Sequence, residues 1–366
     1  MKNIFGNNLT VTLFGESHGE AVGCVLDGLS PGVEVDEAFI ASQMEKRKGM
    51  GSISTKRREA DKVRILSGVF EGRTTGTPLC LMIENGDTKS KDYSKTKDLA
   101  RPSHADYTAE CKYHGFQDYR GGGHFSGRLT APLVAAGAIA ITALKAKGIE
   151  IGTHISRCGE VSDRDFFDLS ADISYLSDCD FPMLSAESAE KAVRYIEKIA
   201  SEGDSVGGIL TTAVTGMPEG VGEPWFDSVE SMLSHALFSV PAVKGVEFGK
   251  GFDFSGLKGS EANDAFRMEK GRVVTETNNN GGINGGITNG MPIVFSCAVK
   301  PTPSIYKEQN TVDFKKKEDA TLLIEGRHDP AIIHRARVVA DSVTALTLCD
   351  LLVSRFGTDY FGGSAK

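Results

Sequence analysis

Residues 14 to 21 read FGESHGEA, and two chemistries fit them. Gly15, Ser17 and Gly19 match the G-x-S-x-G pattern that sets a serine nucleophile on a sharp turn between a strand and a helix. His18, in the same stretch, is an imidazole among small and polar neighbours, a setting in which it stays solvated, titrates near neutrality and suits general-acid work. His104, in RPSHADYT, has the same kind of neighbours. A nucleophile elbow also needs several strands and an oxyanion-hole loop upstream, and only sixteen residues precede Ser17.

Three glycine-rich stretches suggest anion binding. YRGGGHFSGR (119 to 128) runs into an apolar helix, so its backbone N–H groups and the helix N-terminus would form an anion site beside Ser126 and Arg128. NNNGGINGGITNG (278 to 290) precedes a β run and KPTPS (300 to 304), where Lys300, Thr302 and Ser304 crowd a turn. EGRHDP (325 to 330) sets Arg327, His328 and Asp329 ahead of the last helix. Each alone reads as a turn; together they carry more Gly, Arg and hydroxyl groups than turns require. No G-x-G-x-x-G follows a strand and no G-x-x-x-x-G-K-[ST] occurs, so a phosphate must be held some other way. Neither H-E-x-x-H nor paired His/Cys ligands occur, which leaves metal catalysis without an anchor.

Net charge is −8 over 366 residues, which argues against general nucleic-acid binding. Against that background Lys46, Arg47, Lys48, Lys56, Arg57 and Arg58 cluster, either as a solvated helix end or as a site for a small polyanion. The seven cysteines are dispersed without a C-x-x-C pair and read as reduced core thiols. No run reaches the 18 or so apolar residues of a membrane span, and the N-terminus lacks signal-peptide regions, so the expected location is the cytoplasm.

Around these groups, β runs are expected at 9–14, 22–26, 63–70, 79–83, 208–214, 246–248 and 293–299, and helices at 36–46, 129–147, 187–200, 228–238 and 332–355. VGCVLDGLSPGVEVDEAFIASQM and GGILTTAVTGMPEGVGEPWFDSVESML share a plan of β run, Pro/Gly turn, acidic helix start and helix, which suggests a duplicated unit. The helix at 129–147 is apolar on every face and must be buried all round. The expected fold is therefore α+β, a sandwich with helices inside, in one domain over residues 1–366.

Taken in order, FGESHG, STKRREADKVRILSGVFEGRTTGTP, RPSHADYT, DYRGGGHFSGR, AVKGVEFG, NNNGGINGGI, KPTPSI and GRHDPAIIHRA resemble the chorismate synthase family through nearly the whole chain. The resemblance implies a β-α-β sandwich with helices between two antiparallel sheets, assembled as a homotetramer. It also implies a lyase reaction, the 1,4-elimination of phosphate from 5-enolpyruvylshikimate 3-phosphate to give chorismate, in which reduced FMN is required although the overall conversion is redox-neutral. By position, His18 would protonate the departing phosphate, His104 would protonate or stabilise the anionic reduced flavin, and Asp329 would assist hydrogen removal, with Ser17 and Ser126 as hydrogen-bonding neighbours. On that reading Ser17 supports His18 and the G-x-S-x-G match is accidental. Flavin contacts fall to His124, Phe125, Ser126, Pro241, Ala242, Gly285, Lys300, Pro301, Thr302, Pro303, Ser304 and Arg327. The substrate's two carboxylates and phosphate call for arginine forks, at Arg47, Arg101, Arg128 and Arg335.

Some positions depart from the family's commonest pattern. His124 and Phe125 stand where Arg and Ser are usual, Leu129 replaces Glu, and Ser103 replaces Gly. Ile53 stands where an Arg is common, so Arg47 alone carries over from the pair linked to NADPH. No added reductase segment is visible, so reduced FMN is expected from elsewhere, with a separate flavin reductase as a partner.

Overall fold

Two stretches of the chain follow the same path. The computed structural model describes residues 2–54, 61–86, 97–324 and 328–362. After a short edge strand β1 (Ile4–Phe5), the first path runs β2 (Thr10–Gly15), β3 (Ala21–Asp27), α1 (Glu37–Lys46), β4 (Val63–Ser67) and β5 (Leu79–Glu84). Helix α2 (Asp106–Tyr113) intervenes before the central helix α3 (Thr130–Lys145) closes it. The second path runs β6 (Glu150–Cys158), a short β7 (Val161–Ser162), helices α4 (Leu169–Asp178) and α5 (Ala186–Ser201), then β8 (Gly208–Thr215), α6 (Val229–Ser239), β9 (Val243–Phe248) and β10 (Ile293–Val299). The second central helix, α7 (Ile333–Phe356), ends it.

The sheets are ordered β1-β2-β3-β5-β4 and β9-β10-β8-β6-β7, and every pairing within them is antiparallel. Matching β2, β3, β4 and β5 to β6, β8, β9 and β10 makes the two orders identical. The duplication suggested by the two similar segments therefore extends from one β-turn-α unit to the whole β-β-α-β-β-α path, and the α+β sandwich is the observed architecture.

Composition explains the middle layer. Helix α3 is TAPLVAAGAIAITALK, and all but Thr142 and Lys145 of its residues are buried. Small residues let it lie close to α7: an added Cβ on Gly137 would sit 2.2 Å from Ser342 Cβ and 2.5 Å from its Cα. Gly137→Ala therefore forces the helices apart, and we expect a loss of about 2 kcal/mol in urea unfolding despite the roughly 1 kcal/mol helix-propensity gain of alanine. Among the described residues the stretch Gly127–Lys145 is long and apolar enough to cross a membrane, but it lies buried between the sheets.

Local rules set the element ends. Asp36 caps α1 by accepting from Ala38 N and Phe39 N, and Ser228 caps α6 by accepting from Ser231 N. The β run expected over 63–70 breaks at Gly68, which turns at φ 82° where an added Cβ would lie 2.5 Å from Leu79 Cα, and Val69–Phe70 pairs instead with Arg73–Thr74. Asp350, near the far end of α7, accepts from the backbone N–H groups of Asn7, Asn8 and Leu9 and so ties the first sheet to the last helix. All seven cysteines are free; burial raises the Cys158 thiol to about 11 and that of Cys297 to about 12.

Candidate active site

Ser17 and His18 lie in the turn joining β2 to β3, so the G-x-S-x-G pattern falls on a β-hairpin and not on the strand-turn-helix that an elbow requires. The turn is locked to the glycine-rich run at 119–128, with Ser17 N donating to Gly123 O at 3.1 Å. Gly121, Gly122 and Gly123 take φ of 59°, 83° and 53°, a sequence of left-handed residues that only glycine adopts readily. At Gly121 a Cβ would lie 2.3 Å from His18 Cε1 and Nδ1, so the missing side chain is also what admits the imidazole. Ser126 Oγ accepts from Arg128 N at 3.3 Å and starts a short 3-10 turn over Gly127–Leu129, from which α3 continues at Thr130.

Two adjoining cavities open here, sharing Ser126, Gly127, Thr130 and the Val240–Pro241 turn. The smaller, about 320 Å³, is lined by Arg47, Lys48, Arg128 and Arg335 against two carboxylates, Asp61 and Asp329. Arg47 Nη2 donates to Asp61 Oδ2 at 2.6 Å and Arg128 Nη1 donates to Asp61 Oδ1, so one buried carboxylate bridges two guanidinium groups. Burial alone would raise the Asp61 pKa, but Arg47 and Arg128 hold it below the usual carboxylate range. Arg128 Nε also donates to Asn85 Oδ1 at 2.9 Å, and Arg335 Nε to Arg47 O at 2.8 Å. Asp329 pairs with Arg335 Nη1. Three of the four expected substrate arginines thus converge.

Arg101 is the exception. It forms a two-pronged pair with Asp106, Nε to Oδ2 at 2.8 Å and Nη2 to Oδ1 at 2.7 Å, and it lines the larger cavity instead.

That larger cavity, about 720 Å³, gathers the expected flavin contacts: His124, Phe125 and Ser126 from the glycine-rich run, Pro241 and Ala242 after α6, and Lys300, Thr302 and Pro303 after β10. Ala242 sits at φ 77°, strain of the kind that collects at functional sites. Pro301 belongs to the same turn but packs against Gly207. Ser304 is buried and reaches the site through His104, its Oγ 3.2 Å from Nε2. Gly285 lines neither cavity. It forms the tip of a hairpin, Ile283–Asn284 against Ile287–Thr288, whose next residue, Gly286, abuts Ser228 at the start of α6, the end opposite Val240. Arg327, like Lys56, Arg57 and Arg58, lies outside the described residues.

Both histidines are less solvated than expected, and His104 also departs from near-neutral titration. His18 is buried, at 7% exposure. His104 is half-buried, and burial together with the nearby Arg101 charge lowers its pKa to about 4. Its Nδ1 lies 3.1 Å from Pro102 O; a carbonyl only accepts, so Nδ1 carries the hydrogen and Nε2 accepts from the Ser304 hydroxyl. At neutral pH the ring is uncharged.

Ser103, where a glycine was expected, takes φ 58° while its carbonyl accepts from Lys300 Nζ at 2.7 Å. Ser103→Gly removes the left-handed strain and leaves the carbonyl in place, so we expect a gain of roughly 1 kcal/mol in unfolding free energy, read as a higher urea midpoint, with no loss of the lysine contact.

Asp61 is the site residue that motif reading passed over. It lies inside STKRREADKV, and a carboxylate inside a basic run gives no local sign of which side chains it will face.

Residues 9–353 match the family model described as chorismate synthase. The chain belongs to the chorismate synthase family. The chorismate synthase of Thermococcus kodakarensis is 46% identical over 351 residues, covering 96% of this chain and 97% of the relative. That of Lachnospira eligens is 47% identical over 352 residues, covering 96% and 94%, and that of Methanosarcina barkeri 44% over 349 residues, covering 95% of each. A solved crystal structure of chorismate synthase superposes with a TM-score of 0.75 at 28% identity, covering 96% of this chain and 93% of that one. Membership in the chorismate synthase family makes this chain an enzyme, a lyase that eliminates phosphate, and reduced flavin is part of the family's activity.

Proposed function

We propose that this chain carries out the 1,4-elimination of phosphate from 5-enolpyruvylshikimate 3-phosphate to give chorismate, with reduced FMN in the larger cavity and the substrate in the smaller. The observation that carries the reading is the adjacency of the two cavities. One is basic, with four cationic side chains against two anionic ones. The other is larger and mixed, with a volume within the range of about 300–1,000 Å³ that small-molecule sites span. Leu13, Leu133, Phe125 and Pro241 offer flat apolar contact for a ring system, and Lys300 and the Thr302 backbone turn offer polar anchors. When bound, reduced flavin supplies transient electron density and regains it, so the net conversion is redox-neutral.

The chain's own groups would then handle charge and protons. Arg47, Arg128 and Arg335 would grip carboxylate and phosphate oxygens, with forks suited to both. His18, one residue from the cavity lining at Ser17, would deliver a proton to the departing phosphate, which otherwise develops costly charge. Ser17 and Ser126 would hydrogen-bond beside it. Asp329, held by Arg335, would assist removal of the ring hydrogen. His104, neutral in the free protein, would take up a proton at Nε2 when an anionic ring binds nearby, since an adjacent negative charge raises an imidazole pKa. We further propose one domain over the whole chain, a homotetramer, a cytoplasmic location, and reduced FMN delivered by a separate flavin reductase, with Arg47 as the NADPH contact if the chain reduces flavin itself.

The test is anaerobic. The protein is mixed with 5-enolpyruvylshikimate 3-phosphate and photoreduced FMN, with a parallel arm holding oxidised FMN and NADPH, and phosphate and chorismate are measured. Product with photoreduced FMN alone identifies a monofunctional lyase, and product in both arms adds a reductase activity. No product in either arm, with FMN still bound, overturns the reading.

A further inference from the structure

The smaller cavity, on the reading that it receives the substrate's anionic groups, holds a carboxylate of the protein's own at the centre of its positive charge. Asp61 has its side chain 1% exposed and gives one oxygen to Arg47 and the other to Arg128. This is the bridging contact that a ligand carboxylate or phosphate would make with the same pair. A carboxylate that stayed between them would face the ligand's anions at close range in a poorly solvated site, where like charges repel strongly. Its backbone is not held by a strand, since β4 starts only at Val63, and it sits at φ 42°, a left-handed conformation that costs a non-glycine residue energy. The arginines therefore hold Asp61 in place, more than its backbone does.

We propose that Asp61 is an internal stand-in for one of the ligand's anionic groups, which it competes with for Arg47 and Arg128, and that this competition sets which anions enter the site. An anion with one charged group gains little more than Asp61 gives up. A ligand with two carboxylates and a phosphate also reaches Arg335 and Lys48, contacts that Asp61 cannot make in exchange. The exchange is thus favourable for the substrate and nearly neutral for the free phosphate that the reaction releases.

The proposal rests on the assignment of the smaller cavity, so its test separates the two. Inorganic phosphate and 5-enolpyruvylshikimate 3-phosphate are titrated calorimetrically onto the full chain, onto Asp61→Asn and Asp61→Gly, and onto Arg47→Ala. Asn and Gly both tolerate left-handed backbone, so either variant keeps the local conformation while removing the charge, and one serves if the other folds poorly. We expect phosphate and substrate each to bind roughly tenfold more tightly to both Asp61 variants, the scale of one charge-assisted contact released, because each must displace the same carboxylate. Their unliganded melting temperature should fall and be restored by phosphate. A merely structural role would weaken binding and stability together. Asp61 variants that are folded but bind both anions as weakly as the parent, or more weakly, overturn the stand-in while leaving the cavity assignment intact. Unchanged affinity in Arg47→Ala overturns both.

Discussion

His18→Ala should lower turnover about a hundred- to ten-thousand-fold while FMN affinity stays within about threefold, because a positioned general acid is worth that much to the chemical step and the imidazole is not among the groups lining the larger cavity. The ring is buried against Gly121, whose φ of 59° and missing side chain leave no room for a larger residue there. A buried acid beside a leaving phosphate acts on that one bond, so the loss should appear in kcat under single-turnover anaerobic conditions and not in substrate affinity. Asp118, whose carboxyl the Arg120 hydrogen bond holds low, anchors the start of the glycine-rich run against which His18 packs. His104→Ala should also lose most turnover, through poorer support of bound flavin. If both variants turned over at the parent rate, the assignment of the site would fall. If only the His18 variant did, the proton for phosphate would have to come from water, with or without a relay through the Ser126 hydroxyl.

How much of this was legible in the sequence depended on whether local pattern and final environment agreed. Helix α3 could be read because an all-apolar face has one solution, burial on every side. The duplicated path could be suspected from two β-turn-α segments, yet the strongest evidence for it, the identical strand order, comes from pairings between residues far apart in the chain. Strand β6 was missed because EIGTHISRC places Thr153 and His154 in the interior, where Thr153 bonds Thr212 at 2.7 Å, and buried polar residues hide the alternation a strand is recognised by. Helix α2 was missed for a related reason, since DYTAECKY buries only Ala109 and has almost no apolar face to reveal it.

The site divided along the same line. Groups on contiguous glycine-rich runs, such as Ser126 and Arg128, were found where their motifs placed them. The pKa of His104 was misjudged because its small neighbours in sequence are not its neighbours in space: Arg101 and Lys300 face it and burial removes its water. Gly285 lines neither cavity, and a glycine pair can shape a hairpin tip as readily as it can approach a ligand. Asp61 could not be found at all, since its meaning lies in two arginines that α1 and the glycine-rich run bring to it from opposite directions.

The second large effect is acid sensitivity. His104 and His334 are both lowered from an ordinary 6.5 to about 4, in each case first by burial and then by a neighbouring arginine, Arg101 for one and Arg335 for the other. His334 stacks on Phe181 and its Nε2 lies 3.0 Å from Ser54 Oγ, deep among apolar groups. In the unfolded chain both rings take up a proton near pH 6.5, while in the folded protein they resist it until about pH 4. Between those values the unfolded state binds more protons, so stability falls as pH falls; above 6.5 neither state is protonated and the full stability is present. Each ring costs at most about 3 kcal/mol across the window, with a combined slope approaching roughly 3 kcal/mol per pH unit. Carboxylates held low by arginines, such as Asp61 and Asp106, add their losses only below the ordinary carboxylate range, so the histidine window stands clear of theirs. Urea midpoints measured from pH 7.5 to 4.5 should show the decline, and His334→Gln should remove about half of it. Saturating reduced FMN should remove most of the other half, because an anionic ligand that raises the pKa of His104 lets the folded protein bind the same proton as the unfolded chain. A slope that FMN leaves unchanged would mean that His104 does not sense the ligand, and the proton it is expected to take up at Nε2 would have to be assigned elsewhere.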